Sequence, residues 1–337
     1  MAENSKIQWT THSFNPWLGC TKVSPGCKNC YAETTTRARV LRSRGQETWG
    51  KGKKRERTSE AYWKEPLKWN KRPFVCSNCQ HLTCDERALS EKCICAMCGS
   101  IGTFSLAKVF CASTADWLDE EVPIEWLHDL LRLIYQTPNL IWQLLTKRPE
   151  NWRERVEKCV IVEEGGDPSD RAGYFADWDG EPPKSDFAAW LYNWLGNEPP
   201  ENVWIGASAE NQEYFDRRYM PLSEIPARVR FWSMEPLLDA IDFTAVHYIS
   251  SFKRAFHWVI VGGESGSRAR ECQSFHISDI VSQCELADVP CFVKQLGSNP
   301  RTTFPTAHMK DKKGGDIMEW PKALRVRQFP AVLAAAS

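Results

Sequence analysis

The sequence predicts an α/β fold: a complete or partial TIM-type (βα) barrel with parallel strands, plus a small cysteine-rich metal-binding insertion. Two observations lead there. First, short, near-continuously apolar runs recur along the chain: Lys108–Ala112, Leu140–Leu145, Asn202–Gly206, Val229–Ser233, His257–Val261 and Val289–Val293, with an earlier strand expected near Ile7–Ser13. Longer polar stretches with helical spacing separate them, the pattern of a parallel sheet buried on both faces. Second, nearly every run ends in polar residues: Ser113 to Asp116, Thr146 to Arg148, Ser208 to Asn211, Ser233 to Glu235, Gly263 to Ser265, and Lys294 with Gln295. One such end reads as a helix cap. Six in succession read as one pocket, because parallel α/β barrels gather their chemistry at the C-terminal ends of the strands.

The chain has 337 residues and 42% hydrophobic content, enough for a core in one large or two smaller domains. No apolar run reaches the roughly 18 residues of a membrane span. Met1–Ile7 has no apolar h-region, so neither a secretory signal nor a membrane partner is expected. Among fourteen cysteines, the clustered C-x-x-C pairs then read as metal ligands in a reducing, cytoplasmic compartment. Barrel residues are expected at 1–73 and 104–330, and a zinc-ribbon-like insertion at 74–103.

From the N-terminus, the first informative element is Cys20, Cys27 and Cys30, a C-x-x-C pair preceded across a Pro-Gly turn by a third cysteine. A fully ligated electron-transfer cluster takes four cysteines. Three can hold three irons of a [4Fe–4S] cluster and leave the fourth open to a small molecule. A basic segment follows: Arg37 to Arg72 carries thirteen Lys/Arg against four Asp/Glu, with Trp49, Tyr62, Trp63 and Trp69 interleaved. It is expected to be helical. Such a pattern fits phosphate contact with base stacking, and equally fits a solvated helix whose aromatics pack inward.

Cys76-Ser-Asn-Cys79 and Cys95-Ala-Met-Cys98 are two knuckles at zinc-ribbon spacing. Cys84, Cys93 and His81 are additional candidate ligands, and a second iron–sulfur cluster is the competing occupant. A second insertion, 159–200, is acidic and proline-rich and contains the apolar piece Phe187–Leu195. It reads as a partly ordered surface excursion. Glu163 to Glu201 carries ten Asp/Glu against two Lys/Arg, so a zero net charge conceals opposed patches. Cys111, Cys159, Cys272, Cys284 and Cys291 stand alone and read as buried apolar residues. The tail from Ala331 to Ser337 reads as frayed.

The stretch Asn15-Pro-Trp-x-Gly-Cys20 through Cys27-x-x-Cys30-Tyr-Ala-Glu33 resembles the cluster loop of a phage- and bacterium-encoded family with radical S-adenosylmethionine features. Its broader relatives include DNA-repairing enzymes of the spore-photoproduct-lyase type. The resemblance continues through Ser113-x-x-Asp116, Leu145-Thr-Lys-Arg-Pro149, Gly206-x-Ser-x-Glu-Asn211, Ser233-Met-Glu-Pro-Leu237, Gly262-Gly-Glu-Ser-Gly266 and Lys294-Gln-x-Gly297. The chain departs from the most familiar loop, C-x3-C-x2-C, by its C-x6-C-x2-C spacing. It also has Asn29 where an aromatic is usual, with Tyr31 one step past Cys30.

The resemblance implies a radical SAM enzyme: Cys20, Cys27 and Cys30 hold the cluster, S-adenosylmethionine binds its open iron, and one-electron reduction from an external donor yields a 5′-deoxyadenosyl radical. Tyr31, Ser113, Asp116, Lys147, Ser208, Glu210, Asn211, Glu235, Gly262, Gly263 and Glu264 are the candidate cofactor or substrate contacts. Glu210 or Glu235 would serve ribose hydroxyls, and the glycines would allow close approach of the cofactor. The basic segment and ribbon point to a nucleic acid or nucleotide-derived substrate. Two other readings stand beside this one: a non-catalytic metal-stapled nucleic-acid-binding protein, and a radical enzyme acting on a peptide or metabolite.

Overall fold

A computed structural model of the chain describes residues 3–90, 92–176, 182–244, 256–302 and 309–331. The expected tail 332–337 and part of the acidic insertion, 177–181, lie outside the described residues. All seven expected strands form: β1 (His12–Phe14), β2 (Lys108–Cys111), β3 (Ile141–Thr146), β4 (Val203–Ser208), β5 (Val229–Met234), β6 (Trp258–Gly262) and β7 (Cys291–Gln295). They lie in one sheet in chain order, with β1 and β7 as its edges. Pairing is parallel, as in His12 opposite Val109 and Phe231 opposite Trp258. The α/β class with parallel strands is therefore as expected.

The strands are mostly apolar because both faces are covered, with a few buried polar exceptions such as His12, Gln143 and Arg230. Every residue of β4, β5 and β6 is buried. Full burial of each large side chain, such as Trp142, Trp204, Trp232 or Trp258, contributes on the order of 2 kcal/mol. The edge at β7 is shielded by the C-terminal segment: Val293 N donates to Val326 O at 2.8 Å and Gln328 N to Cys291 O at 2.8 Å. Covering an edge in this way removes its free hydrogen-bonding groups as a template for aggregation.

The chain divides into two compact units. One comprises Met1–Cys20, Leu41–Leu144 and Asn151–Trp204; the other comprises Thr21–Val40, Leu145–Glu150 and Ile205–Ser337. The principal helices are α1 (Thr36–Ser43), α2 (Ile124–Tyr135), α3 (Trp152–Glu164), α4 (Asp186–Leu195), α5 (Gln212–Glu224) and α6 (Ser274–Leu286).

Two expectations need correction. The acidic insertion is not a surface excursion from its start. Residues 159–164 complete α3, with Cys159, Val160 and Ile161 buried, and the helix ends at Gly165 (φ 80°). The helix α4 is likewise core-forming, burying Phe187, Ala188, Leu191 and Trp194 and placing Trp194 5.6 Å from Trp152. The basic segment is helical only at Thr36–Ser43, Glu60–Trp63 and Glu65–Trp69. Its tryptophans are core: Trp49, Trp63 and Trp69 are buried. Tyr62 accepts from Asn15 N and donates to Ser13 O, both at 3.1 Å. Burial of the three tryptophan rings removes the base-stacking role that their place among the lysines suggested, and Tyr62 is half-buried.

Candidate functional site

The ends of β3 to β7 and the loop carrying Cys27 and Cys30 belong to the same unit. The loop Thr21–Cys30 makes one short 3-10 turn, Pro25–Cys27, and has little secondary structure of its own. Distant side chains therefore hold it. Arg148, just past β3, donates to Thr21 O at 2.8 Å. Ser24 Oγ donates to Glu210 at 2.7 Å, beyond the end of β4. Asn29 Nδ2 donates to Glu264, beyond β6, at 3.1 Å and to Arg268 O at 2.8 Å. Arg270 closes the other side, donating to Pro25 O at 2.8 Å while its Nε and NH2 engage Glu264 at 3.0 and 2.7 Å.

Glu210 is the deepest of these anchors, with a fully buried side chain that also pairs with Lys147 and with Arg218, the latter at 3.1 Å. Burial alone would raise its pKa, but the two cations outweigh it and hold the carboxyl below its usual range. Arg218 reaches in from α5 and also donates to Lys147 O and Ser208 O, both at 2.9 Å. Gly26 has no Cβ because one would overlap the Glu210 carboxylate. Glu264 follows the same logic: burial raises its pKa, and the bonds from Arg270 and Asn29 bring it below the usual range.

Cys27 is buried, and its sulfur lies 3.6 Å from Ser24 Oγ. Burial pushes the Cys30 thiol up, opposed by the backbone N–H groups of Ala32 and Glu33 directed at its sulfur. Sulfur-directed amides of this kind tune iron–sulfur ligands. Cys20, Cys27 and Cys30 are all free thiols. Cys20 belongs to the first unit and Cys27 and Cys30 to the second, and the three are not among the side-chain groups whose ligand atoms converge within 4.8 Å among the described residues. Tyr31 is exposed.

The remaining strand ends are more modest. Glu235 pairs with Lys294 at 2.8 Å and accepts from Ser233 Oγ at 3.4 Å. Gly262 and Gly263 serve the backbone first: a Cβ on Gly262 would sit 2.8 Å from Gln295 O, and one on Gly263 would overlap Leu296 O. Asn211 accepts from Tyr214 N at 3.1 Å and so caps α5. Ser113 and Asp116 lie in the other unit. There Ser113 Oγ donates to Asn15 Oδ1 at 3.0 Å, and Asp116 accepts from Leu118 N at 3.0 Å. Ser24, Asn29, Arg218 and Arg270 are the members that sequence reasoning passed over; Ser24 and Asn29 find their carboxylates 186 and 235 residues away.

The second cysteine group is self-contained. Phe74–Cys76 pairs antiparallel with both Leu82–Thr83 and Phe104–Leu106. Gln80 (φ 61°) and Gly99 (φ 72°) turn the two knuckles, with Gln80 N donating to Cys76 O and Gly99 N to Cys95 O. The sulfurs of Cys76, Cys79, Cys95 and Cys98 all lie within 4.8 Å of one another, the one such group among the described residues. This four-cysteine group could hold a metal ion, and neither Cys84, Cys93 nor His81 joins it.

One family matches the chain, described as Protein of unknown function (DUF5131), over residues 4–321. The chain belongs to this family. No curated protein and no solved structure matches it. Among the described residues, no helix is long and apolar enough to cross a membrane.

Proposed function

We propose that this DUF5131 chain is a radical S-adenosylmethionine enzyme with a partial TIM-type barrel, acting on a nucleic acid or nucleotide-derived substrate. The observation that carries the reading is the fastening of the Cys27–Cys30 loop to residues just beyond β3, β4 and β6. That is where parallel α/β folds build their chemistry. In this reading Cys20, Cys27 and Cys30 hold three irons of a [4Fe–4S] cluster. With S-adenosylmethionine on the open iron, the cluster supplies reductive cleavage to a 5′-deoxyadenosyl radical.

The chain's own residues provide position. Glu210 and Glu264 hold the loop. Ala32 and Glu33 amides favour the Cys30 thiolate. Glu235, shared among the described residues with Lys294 and Ser233, is the carboxylate best placed to accept from ligand hydroxyls. Zinc is the proposed ion of the four-cysteine group. Thiolates about 2.3 Å from one tetrahedral ion lie about 3.8 Å apart, and the Cys76–Cys98 and Cys79–Cys95 sulfur pairs are separated by 3.8 and 3.6 Å. A four-iron cluster instead gives each cysteine its own iron and spreads the sulfurs.

The test is anaerobic. The protein is reconstituted with iron and sulfide, reduced with dithionite in the presence of S-adenosylmethionine, and assayed for 5′-deoxyadenosine. Product from wild type and none from Cys27→Ala supports the reading. A fully loaded cluster that never cleaves S-adenosylmethionine, with DNA or tRNA present, overturns it in favour of a metal-stapled binding protein.

A further inference from the structure

We infer that the loop Thr48–Arg55 is a nucleic-acid backbone grip beside Cys20. The inference rests on the nucleic-acid half of the proposed function and is independent of the radical chemistry. Lys51, Lys53 and Lys54 are exposed, and their side chains carry no ion pair among the described residues. In the same basic segment Arg42, Lys68 and Arg72 are paired with Glu47, Glu65 and Glu3. Lys64 and Lys71 are also exposed with no ion pair among the described residues, so what sets the loop apart is its support.

Three bare lysines would ordinarily be solvated surface, but this loop is built from beneath. Arg55 has a side-chain exposure of 0% and pairs with Asp119, also 0%, at 2.9 Å and with Glu121 at 3.1 Å. Its NH1 donates to three carbonyls of the loop, Thr48 and Gly50 at 3.1 Å and Lys53 at 2.9 Å. Glu121 receives Gly52 N at 2.9 Å. Gly50 (φ 114°) and Gly52 (φ 70°) supply the left-handed turns. A buried ion pair is a costly way to shape a surface loop. What it achieves here is a fixed loop backbone from which three lysines project together.

The display is next to the chemistry. Gly50 N donates to Cys20 O at 3.0 Å. Gly19 (φ 105°) packs so closely that a Cβ there would overlap Thr48 O and touch Arg55. A phosphate backbone held by these lysines therefore runs beside the first cysteine of the cluster loop. The partner is a nucleic acid and not a membrane, because no large hydrophobic residue between Val40 and Leu67 is exposed to enter a lipid interface. With Trp49 and Trp63 buried, the grip has no aromatic to stack on bases, so recognition is of phosphates and independent of sequence.

The experiment compares the full chain with a Lys51→Ala, Lys53→Ala, Lys54→Ala variant by anisotropy on duplex and single-stranded oligonucleotides over a range of salt. The expected result is weaker binding, with a slope of log K against log salt shallower by about 2.7 on duplex DNA, at about 0.9 per phosphate contact. A second variant, Lys64→Ala, Lys68→Ala, Lys71→Ala, removes the same charge from the other end of the segment and should retain the wild-type slope. If both variants lose equally, the grip is only net charge and the inference falls. If the loop variant binds as wild type, the assignment of the loop falls alone. If wild type binds phosphatidylserine vesicles and no oligonucleotide, the nucleic-acid reading falls with it.

Discussion

Glu210→Gln separates electrostatics from shape at the anchor of the cysteine loop. The amide keeps the size and can still accept from Ser24, but Arg218, with a side-chain exposure of 3%, loses its countercharge. Lys147 is 22% exposed and can turn to water; Arg218 cannot. Removing one partner of a buried pair costs about 3–5 kcal/mol. The lower end is expected here, because two backbone carbonyls still accept from Arg218. Urea unfolding followed by tryptophan fluorescence measures this as a displaced midpoint at unchanged slope.

The pH dependence fixes the sign. The folded carboxyl titrates below its ordinary range. Its contribution is therefore complete above the unfolded pKa and is lost as pH falls through the folded one. The gap between wild type and variant should close in acid. A loss below about 1 kcal/mol, or a gap that persists undiminished in acid, would refute the assignment of Glu210 as a charged anchor.

Three further outcomes are expected. Metal analysis should give about one zinc per chain. Cys79→Ser or a chelator should remove it and collapse hydrogen-exchange protection over 74–106 without affecting β4 to β6; bound metal unaffected by Cys79→Ser would contradict this. Gly26→Ala should drive the loop off the Glu210 carboxylate at about 1–3 kcal/mol and lower iron loading, and protease resistance of residues 21–30 equal to wild type would count against it. His12 is fully buried against Trp69, and burial together with the nearby Arg72 charge lowers its pKa to about 4. Its neutral form therefore supports stability above pH 6.5, and about 3 kcal/mol should drain away as pH falls from 6.5 to about 4. His12→Asn should lack that slope; an identical pH profile would discount the shift.

What was legible in the sequence follows from how local each signal is. The seven strands were legible because a doubly covered parallel strand is mostly apolar and polar residues gather at its end. The segment 159–164 was misread because α3 mixes buried Cys159 and Ile161 with Glu157, Lys158, Glu163 and Glu164, so its composition resembles the acidic stretch after it. Trp49, Trp63 and Trp69 stand among lysines in the sequence and in the core of the fold; only tertiary packing distinguishes the two.

The two cysteine groups make the same point from opposite sides. Cys76, Cys79, Cys95 and Cys98 sit in paired knuckles whose hydrogen bonds are drawn from their own turns, so spacing pointed to these four while leaving Cys84, Cys93 and His81 open. Cys27 and Cys30, on a loop with little secondary structure, cannot hold themselves in place. Their support comes from Glu210, 186 residues from Ser24, and Glu264, 235 residues from Asn29, and no local pattern encodes such a pair. A loop with so little secondary structure of its own takes its rigidity from elsewhere in the fold, and these distant carboxylates are where this chain keeps it.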